Sequence, residues 1–267
     1  MLLTIAVSNE KGGVAKTTTT ISVGATLAEL GNRVLLIDLD AQANLTLGLG
    51  LELGESEFTS SDMMLDNVPL LRVCRKTDVE NLDLIPSNPR IETSEQFLPV
   101  RTNYTTILQQ AIQAADEMPY DYIILDCPPA LGAITKNALA AADLLVIPTQ
   151  AEYFSAYALR NMMSMIRNIR EQDNPNLAYR ILVTMLDNRN RTHRNIHEQL
   201  RTTFGEGVFN TVIEIDTKLR ESPIAGVPIT QYKPNARGSA QYRILAQEIM
   251  EYVKEKESEM LTGDEAS

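Results

Sequence analysis

The 267-residue sequence contains no tryptophan, only two cysteines and only two histidines, and it has no long apolar run. Two cysteines argue against a disulfide framework, and we interpret Cys74 and Cys127 as small buried hydrophobic residues. His193 and His197 lie four residues apart without further ligands at zinc-binding spacing, so we expect an exposed polar helix face. Because no run approaches the roughly 18 to 20 apolar residues of a membrane span and no signal sequence is recognisable, we expect a cytoplasmic protein.

Apolar, strand-like runs alternate with helix-like stretches along the chain. The strand-like runs cover residues 2–7, 34–37, 82–85, 122–125, 144–147, 180–184 and 208–213, and the helix-like stretches lie near 18–30, 104–116, 133–141, 155–172, 190–203 and 239–256. That alternation predicts an α/β fold with a doubly wound, mostly parallel sheet and helices on both faces. We predict a single domain over residues 1–256, followed by an acidic, disordered tail at 257–267.

A glycine-containing turn lies between the first strand-like run and the first helix-like stretch. It reads Lys11, Gly12, Gly13, Val14, Ala15, Lys16, Thr17, Thr18. Backbone N–H groups at a helix N-terminus bind polyphosphate, Lys16 would reach the β- and γ-phosphates, and the Thr17 hydroxyl would bind Mg²⁺. The strict P-loop pattern has glycine at the positions of Glu10 and Ala15. A non-glycine residue fits best with negative φ, so we expect Ala15 to keep one.

Two further apolar strands end in carboxylates. The first ends at Asp38, with Asp40 two residues later, and the second ends at Asp126, just before Pro128 and Pro129. Alternate residues of a strand face the same side, so we expect Asp38 and Asp40 to point together beyond its carboxyl end. There they could hold Mg²⁺ or its waters and orient an attacking water, although one of them could instead cap a turn. Asp126 fits a Walker B acid that contacts Mg²⁺ through water.

The second lysine gives the turn the form K-G-G-x-x-K-[ST], which resembles the deviant Walker A motif of the ParA/Soj and MinD family of P-loop ATPases. Residues 134–152, 183–187 and 218–223 are similar to the same family, and the similarity runs from about residue 2 to residue 253. The resemblance implies a weak ATP hydrolase that uses ATP and Mg²⁺ and is stimulated by a partner. It also implies an ATP-sandwich homodimer, in which Lys11 reaches the partner's ATP. Asp40 would position the attacking water and Asp38 would lie near Mg²⁺.

The same resemblance places the adenine against loops that follow the later strands. Thr184, Met185 and Asp187 match one of these loops. In the other loop, Glu214 stands where the family usually has a proline. This departure concerns the choice of base and leaves the prediction of phosphate binding unaffected.

Charge is unevenly distributed along the chain, whose formal net charge is −11. Residues 153–243 carry 13 basic and 8 acidic residues, a net charge of +5. Arginine-rich surfaces bind phosphate backbones without reading bases, and the resemblance implies non-specific DNA binding by the ATP dimer. The candidate DNA contacts are Arg189, Arg191, Arg194, Lys218 and Arg220. The alternative is ordinary ion pairing with the glutamates at positions 171, 198, 206 and 221.

The resemblance therefore predicts a Soj-like ATPase on the nucleoid. It would position or segregate a chromosome, a plasmid or a carboxysome-like organelle through a ParB-like or carboxysome-type adaptor that stimulates hydrolysis. A MinD-like membrane association is the less favoured alternative, because the acidic C-terminal segment would be repelled by an anionic membrane. A metabolic ATP-dependent ligase or synthetase on the same fold is a further alternative. Such an enzyme would need a small-substrate pocket beside the γ-phosphate.

Overall fold

The computed structural model describes residues 2–54, 57–115, 118–153 and 155–264. Its described strands form one sheet of eight, in the order β3-β4-β2-β5-β1-β6-β7-β8. Their bounds are β1 Leu3–Val7, β2 Val34–Asp38, β3 Arg75–Lys76, β4 Leu82–Ile85, β5 Tyr122–Asp126, β6 Leu144–Gln150, β7 Ala178–Leu186 and β8 Val208–Glu214. Only the β3–β4 pair is antiparallel among the described strand pairs, so the prediction of a doubly wound, mostly parallel sheet is confirmed.

Twelve α-helices lie within the same residues. Their bounds are α1 Lys16–Glu29, α2 Asn44–Gly48, α3 Ser60–Asp66, α4 Leu70–Val73, α5 Glu92–Phe97, α6 Ile107–Gln113, α7 Ala133–Ala141, α8 Ser155–Gln172, α9 Arg191–Phe204, α10 Lys218–Glu221, α11 Ile229–Tyr232 and α12 Arg237–Asp264. Helices α1 and α12 cover one face of the sheet, while α7 and α8 cover the other. Each face therefore has its own apolar core.

The central strands are apolar throughout because both of their faces are buried. In β1, Ile5 and Val7 belong to the core beneath α1 and α12, whereas Ala6 belongs to the core beneath α7 and α8. The two helices of the first face are also joined by a buried hydrogen bond of 3.1 Å between the hydroxyls of Thr19 and Tyr242. This arrangement holds the start of α1, and hence the glycine turn before it, firmly on the sheet.

The structure contains short helices that the sequence did not predict, namely α2, α3, α4, α5, α10 and α11, and it differs from the predicted elements at further points. Strand β3 was not predicted from the sequence. The helix expected over residues 104–116 divides into a 3₁₀ turn at Tyr104–Thr106 and α6, and residue 116 lies outside the described residues. Helix α12 continues to Asp264, through a segment rich in strong helix formers, and so covers part of the tail for which the sequence predicts disorder. Residues 265–267 of that tail lie outside the described residues.

The residues of the expected nucleotide site lie at one edge of the sheet. Strands β1, β2, β5, β6, β7 and β8 are parallel, so the loops that follow them emerge at the same edge, where open α/β sheets bind ligands. The glycine turn, the three aspartates and the loops expected to bind the base all lie there. In the part of the chain that the structure describes, no helix has the length and apolar character needed to cross a bilayer.

Candidate nucleotide site

The glycine turn joins β1 to the N-terminus of α1. Gly13 has φ +73° and Ala15 has φ +69°, so the expectation of a negative φ at Ala15 is wrong. An L-residue in this region costs about 1–2 kcal/mol, because its Cβ approaches the following carbonyl oxygen. Neighbouring bonds hold the conformation: the Thr19 N–H donates to the Ala15 carbonyl at 2.9 Å, and the Thr184 hydroxyl donates to the Val14 carbonyl at 3.1 Å.

Both lysines of the turn are engaged within their own chain. The Lys16 side chain is buried, and its Nζ donates to the carbonyl of Lys11 at 3.3 Å. Burial lowers the pKa of Lys16, and the nearby charge of Asp126 opposes that shift. The Lys11 Nζ lies 2.6 Å from Oε2 of Glu152 and 3.1 Å from Oε1 of Gln150. The two ammonium groups are thus held by oxygen atoms at the mouth of the loop.

Asp126 and Asp38 end adjacent strands and are paired in register across β5 and β2. Burial raises the pKa of Asp126 to about 8, and the charge of Asp38 adds to this shift. Burial likewise raises the pKa of Asp38 to about 6. Asp126 accepts hydrogen bonds from the hydroxyls of Thr17 at 2.7 Å and Thr20 at 3.1 Å. Two buried carboxylates side by side are unfavourable when both are ionised, so the pair is suited to receive a cation.

Asp40 lies beyond β2 in the following turn and is only half-buried. The strand ends at Asp38, so strand alternation does not fix the direction of Asp40, and the expectation that the two side chains point together stays a prediction. Burial is the main cause of the raised pKa of Asp38, and the charge of Asp40 nevertheless adds to it. Asp38 organises the turn: its oxygens accept from the Asp40 N–H at 3.1 Å and from the N–H and hydroxyl of Thr46 at 2.9 and 2.8 Å. A fully buried Asp38 thus positions the loop that presents Asp40.

Magnesium fits the oxygen donors beside α1. Mg²⁺ is usually bound by one or two carboxylates together with substrate phosphates and waters. Thr17 and Asp126 supply a hydroxyl and a carboxylate that already lie within hydrogen-bonding distance of each other. In the described ranges, no group of three or more histidine, cysteine, aspartate or glutamate side chains is placed to hold a metal by itself. The donor set is therefore suited to a metal that arrives with nucleotide phosphates.

Only part of the expected base-binding set contacts the P-loop. Thr184 bonds to it directly, and Met185 bonds to Gln150 through its sulfur, with Sδ 2.9 Å from Nε2. Glu214 is held elsewhere: its carboxylate accepts from Arg237 Nη1 at 2.6 Å and from Asn188 Nδ2 at 2.9 Å. The residue in place of the family's proline therefore joins the loops after β7 and β8 to the start of α12.

Asp187, the remaining member of that set, is engaged by one of the DNA candidates. Arg189 Nε lies 3.0 Å from Oδ1 of Asp187, and this pairing lowers the pKa of Asp187 to about 2. The Asp187 N–H donates to Nδ1 of His193 at 3.2 Å. Both histidines are half-buried, so the interpretation of an exposed histidine face is wrong.

The five candidate DNA contacts lie in the segments that follow β7 and β8. Arg189 is in the loop after β7, Arg191 and Arg194 are at the start of α9, and Lys218 and Arg220 are in α10. The two segments touch through the Ile215 N–H, which donates to the Leu186 carbonyl at 3.2 Å. Arg191 and Arg220 are exposed, while Lys218 is paired with Glu221 at 2.7 Å. Four glutamates, at positions 171, 198, 206 and 221, could pair with the basic residues of the segment 153–243. Of these, Glu221 alone forms an ion pair in the described part of the chain. Arg194 bonds to the carbonyl of Asn188.

Sequence reasoning missed three polar residues that support the P-loop. Gln150 and Glu152 hold Lys11, as described above. Asn9 accepts from the Lys11 N–H at 3.0 Å and donates to the Pro148 carbonyl at 2.8 Å, which ties the loop to β6. Gln150 and Glu152 fall within the stretch 134–152 that resembles the family, but the sequence indicated no role for either residue. Of the cysteines, Cys127 is buried and Cys74 half-buried, and both are free thiols.

The chain is similar in sequence to a family model and to several known proteins. A family model described as an AAA domain matches residues 2–179. The chain is 40% identical to the sporulation initiation inhibitor protein Soj of Bacillus subtilis, over 92% of this chain and 97% of that protein. It is 34% identical to the chromosome partitioning protein ParA of Caulobacter vibrioides, over 96% of this chain and 97% of that protein.

A solved structure is similar over the same extent. The cobyrinic acid a,c-diamide synthase from Mycobacterium smegmatis, with bound ATP analog and magnesium, superposes with a TM-score of 0.85 at 30% identity. The match covers 95% of this chain and 96% of that one. Nearly all of this chain therefore shares its fold with a protein whose structure holds an ATP analog and magnesium.

Proposed function

We propose that this chain, which belongs to the ParA/Soj family of partition ATPases, couples ATP hydrolysis to the positioning of a cargo on DNA. It is an ATP hydrolase that converts ATP to ADP and phosphate and uses Mg²⁺. The observation that carries the proposal is the pair of lysines in the glycine turn. Lys16 is buried beside the Walker B acid, while Lys11 lies at the mouth of the loop. We assign Lys16 to the nucleotide of its own chain and Lys11 to the nucleotide of a second subunit.

The P-loop residues divide the work by their burial. The N–H groups of the turn and the Lys16 ammonium bind the β- and γ-phosphates, where they stabilise the charge that moves onto the leaving phosphates. Thr17 and Asp126 would hold Mg²⁺, which would neutralise phosphate charge when bound. Asp40 is half-buried and orients the attacking water. Lys11 binds the ATP of a second subunit and so makes nucleotide binding a condition for dimerisation.

The segments that follow β7 and β8, including the starts of α9 and α10, form the proposed DNA surface. Its members are Arg189, Arg191, Arg194, Lys218 and Arg220. The two segments bring these charges to one place from two parts of the sequence, and a dimer would present the set twice. Because contacts to phosphates release counterions, binding should be non-specific in sequence and should weaken steeply with salt.

Alanine substitution tests this surface. Arg191→Ala and Arg220→Ala should each weaken binding to any duplex and lower the slope of log affinity against log salt by about one per subunit. Lys254→Ala removes the same charge from α12, outside the proposed surface, and serves as the matched control. Equal slopes for all three variants would remove these segments from DNA binding.

A ParB-like or carboxysome-type adaptor would stimulate hydrolysis and release the nucleoid-bound dimer. The cargo would be a chromosome, a plasmid or a carboxysome-like organelle, and the adaptor would carry its identity. The test is the ATPase rate of the chain alone, with DNA, and with DNA plus a candidate adaptor. The proposal expects a low basal rate that rises only when DNA and the adaptor are both present.

A carboxylate-activating synthetase is the second candidate. The similar structure named for a diamide synthase favours it, as does a groove of about 460 Å³ beside the P-loop, lined by Glu10, Lys11, Pro129, Leu131 and Tyr157 among others. Such an enzyme would consume ATP in proportion to a small acid and would not be retained on DNA. Turnover of a small acid without DNA retention would replace the partition function with this one.

A further inference from the structure

The ammonium group of Lys11 is already paired in the isolated chain. Its Nζ lies 2.6 Å from Oε2 of Glu152 and 3.1 Å from Oε1 of Gln150, both at the carboxyl end of β6. About 30% of the Lys11 side chain and 50% of the Glu152 side chain remain exposed to solvent. The contact is thus at the surface, where a competing anion can reach it.

The Gln150 amide can have only one orientation here. Its Oε1 faces the Lys11 ammonium, which has no acceptor, while its Nε2 lies 3.1 Å from the Gly13 carbonyl, which has no proton to donate. The same Nε2 lies 2.9 Å from Sδ of Met185. Gln150 therefore connects Lys11, the turn of the P-loop and the loop after β7. A shift of the P-loop turn or of the loop after β7 would therefore move Gln150 and alter its contact with Lys11.

We propose that Gln150 and Glu152 are positioning residues that hold Lys11 in its own subunit until the phosphates of a partner's nucleotide displace them. The proposal rests on the ATP-dependent dimer described under the proposed function. A phosphate that reaches the Lys11 ammonium comes close to the Glu152 carboxylate 2.6 Å away, and the two negative charges repel, so dimerisation works against this ion pair. Glu152 thereby opposes dimerisation in the absence of nucleotide and sets how tightly the two subunits associate in its presence.

Dimerisation of the full-length protein tests the proposal. The subunit dissociation constant is measured by sedimentation with Mg²⁺ and a non-hydrolysable ATP analogue. Glu152→Gln keeps the size of the side chain and removes its charge, so it should tighten the dimer by roughly two- to fivefold, the range for an exposed ion pair. Glu152→Asp keeps the charge and should return the constant toward that of the wild type. Glu29→Gln breaks an exposed pair with Arg243 at the far end of α1 and is the matched control.

Amine labelling of nucleotide-free protein supplies a readout that does not depend on dimerisation. With Glu152→Gln, labelling of Lys11 by an amine-reactive reagent should rise severalfold, while labelling of Lys254 should not change. An unchanged or weaker dimer together with unchanged Lys11 labelling would overturn the proposal. A weaker dimer with increased labelling would also overturn it, since Glu152 would then support the interface. A wild type that stays monomeric with the analogue would instead contradict the proposed function.

Discussion

Replacing Asp126 with asparagine should make the nucleotide-free protein more stable while abolishing its ATPase activity. The Asp126 carboxyl is fully buried, and its pKa is raised from 3.8 to about 8. A raised folded-state pKa favours folding when the group is protonated, so this contribution is complete below about pH 4 and is lost as the pH rises toward 8. Wild-type stability should therefore fall across that interval in the absence of metal.

The size of the effect follows from the shift. A pH of 7 lies about three units above the unfolded pKa, and one unit corresponds to about 1.4 kcal/mol. Keeping the buried carboxyl protonated, as its raised folded-state pKa requires, therefore costs on the order of 4 kcal/mol. Asparagine avoids this cost but can accept from only one of the two threonine hydroxyls that Asp126 binds, which costs about 1 kcal/mol. The variant should then be more stable by about 3 kcal/mol at pH 7, and the advantage should vanish near pH 4 to 5.

Thermal unfolding in EDTA at pH 5, 6, 7 and 8 measures the difference. The melting temperatures of wild type and Asp126→Asn should converge at pH 5 and separate by several degrees at pH 8. Mg²⁺ with ATP should stabilise only the wild type. Asp143→Asn removes a carboxyl whose pKa is also raised but which lies outside the site, and as the matched control it should leave the ATPase rate unchanged. Parallel curves for wild type and Asp126→Asn would refute the reasoning.

Four further predictions concern single residues of the loops. Asp40→Ala should bind ATP and accumulate as a DNA-bound dimer, and loss of ATP binding in a filter assay would contradict its assignment to hydrolysis. Lys11→Ala should bind ATP as a monomer without turning it over; a normal dimer with full hydrolysis would remove Lys11 from the mechanism. Ala15→Gly should raise the free energy of unfolding by about 1 kcal/mol, measured in denaturant, because glycine adopts positive φ without strain. Glu221→Gln should release Lys218 and steepen the salt dependence of DNA binding by about one per subunit; an unchanged slope would show that the ion pair does not compete with DNA.

The fold and the strand-end acids were predictable because their signals are local. An apolar run buried on both faces needs no knowledge of its neighbours, and the rule that parallel strands bind ligands at their carboxyl ends places Asp38 and Asp126 at the site. Strand β3 could not be predicted in this way, since it has two residues and exists only because Arg75 and Lys76 pair with β4. Short antiparallel additions depend on the sheet that receives them.

Side-chain partners were the least predictable part of the site. Gln150 and Lys11 are 139 residues apart in sequence, and only the juxtaposition of β1 and β6 brings them together. The same holds for Glu214, whose partners Asn188 and Arg237 come from two other elements. The hydrogen bonds of Asp38 were unpredictable for a similar reason, because Thr46 reaches it from the following helix. The sequence shows which residue types lie at the ligand-binding edge of the sheet. The role of each side chain also depends on its contacts, and these come from residues that are distant in the sequence.

Backbone strain is concentrated at the edge of the sheet where the nucleotide site lies. In the described residues, the non-glycine positions with positive φ are Asn67, Asn81, Asn103, Ala15, Ala43 and Met185. The asparagines are exposed, and asparagine is enriched in this conformation. Ala15, Ala43 and Met185 lack that tolerance, and they lie at the ends of β1, β2 and β7 around the nucleotide site. Strain of this kind persists only where surrounding bonds enforce it. Thr184 and Gln150 supply such bonds between the P-loop and the end of β7, so these loops are held in shape before nucleotide arrives, and a ligand that alters one of them must act on the other.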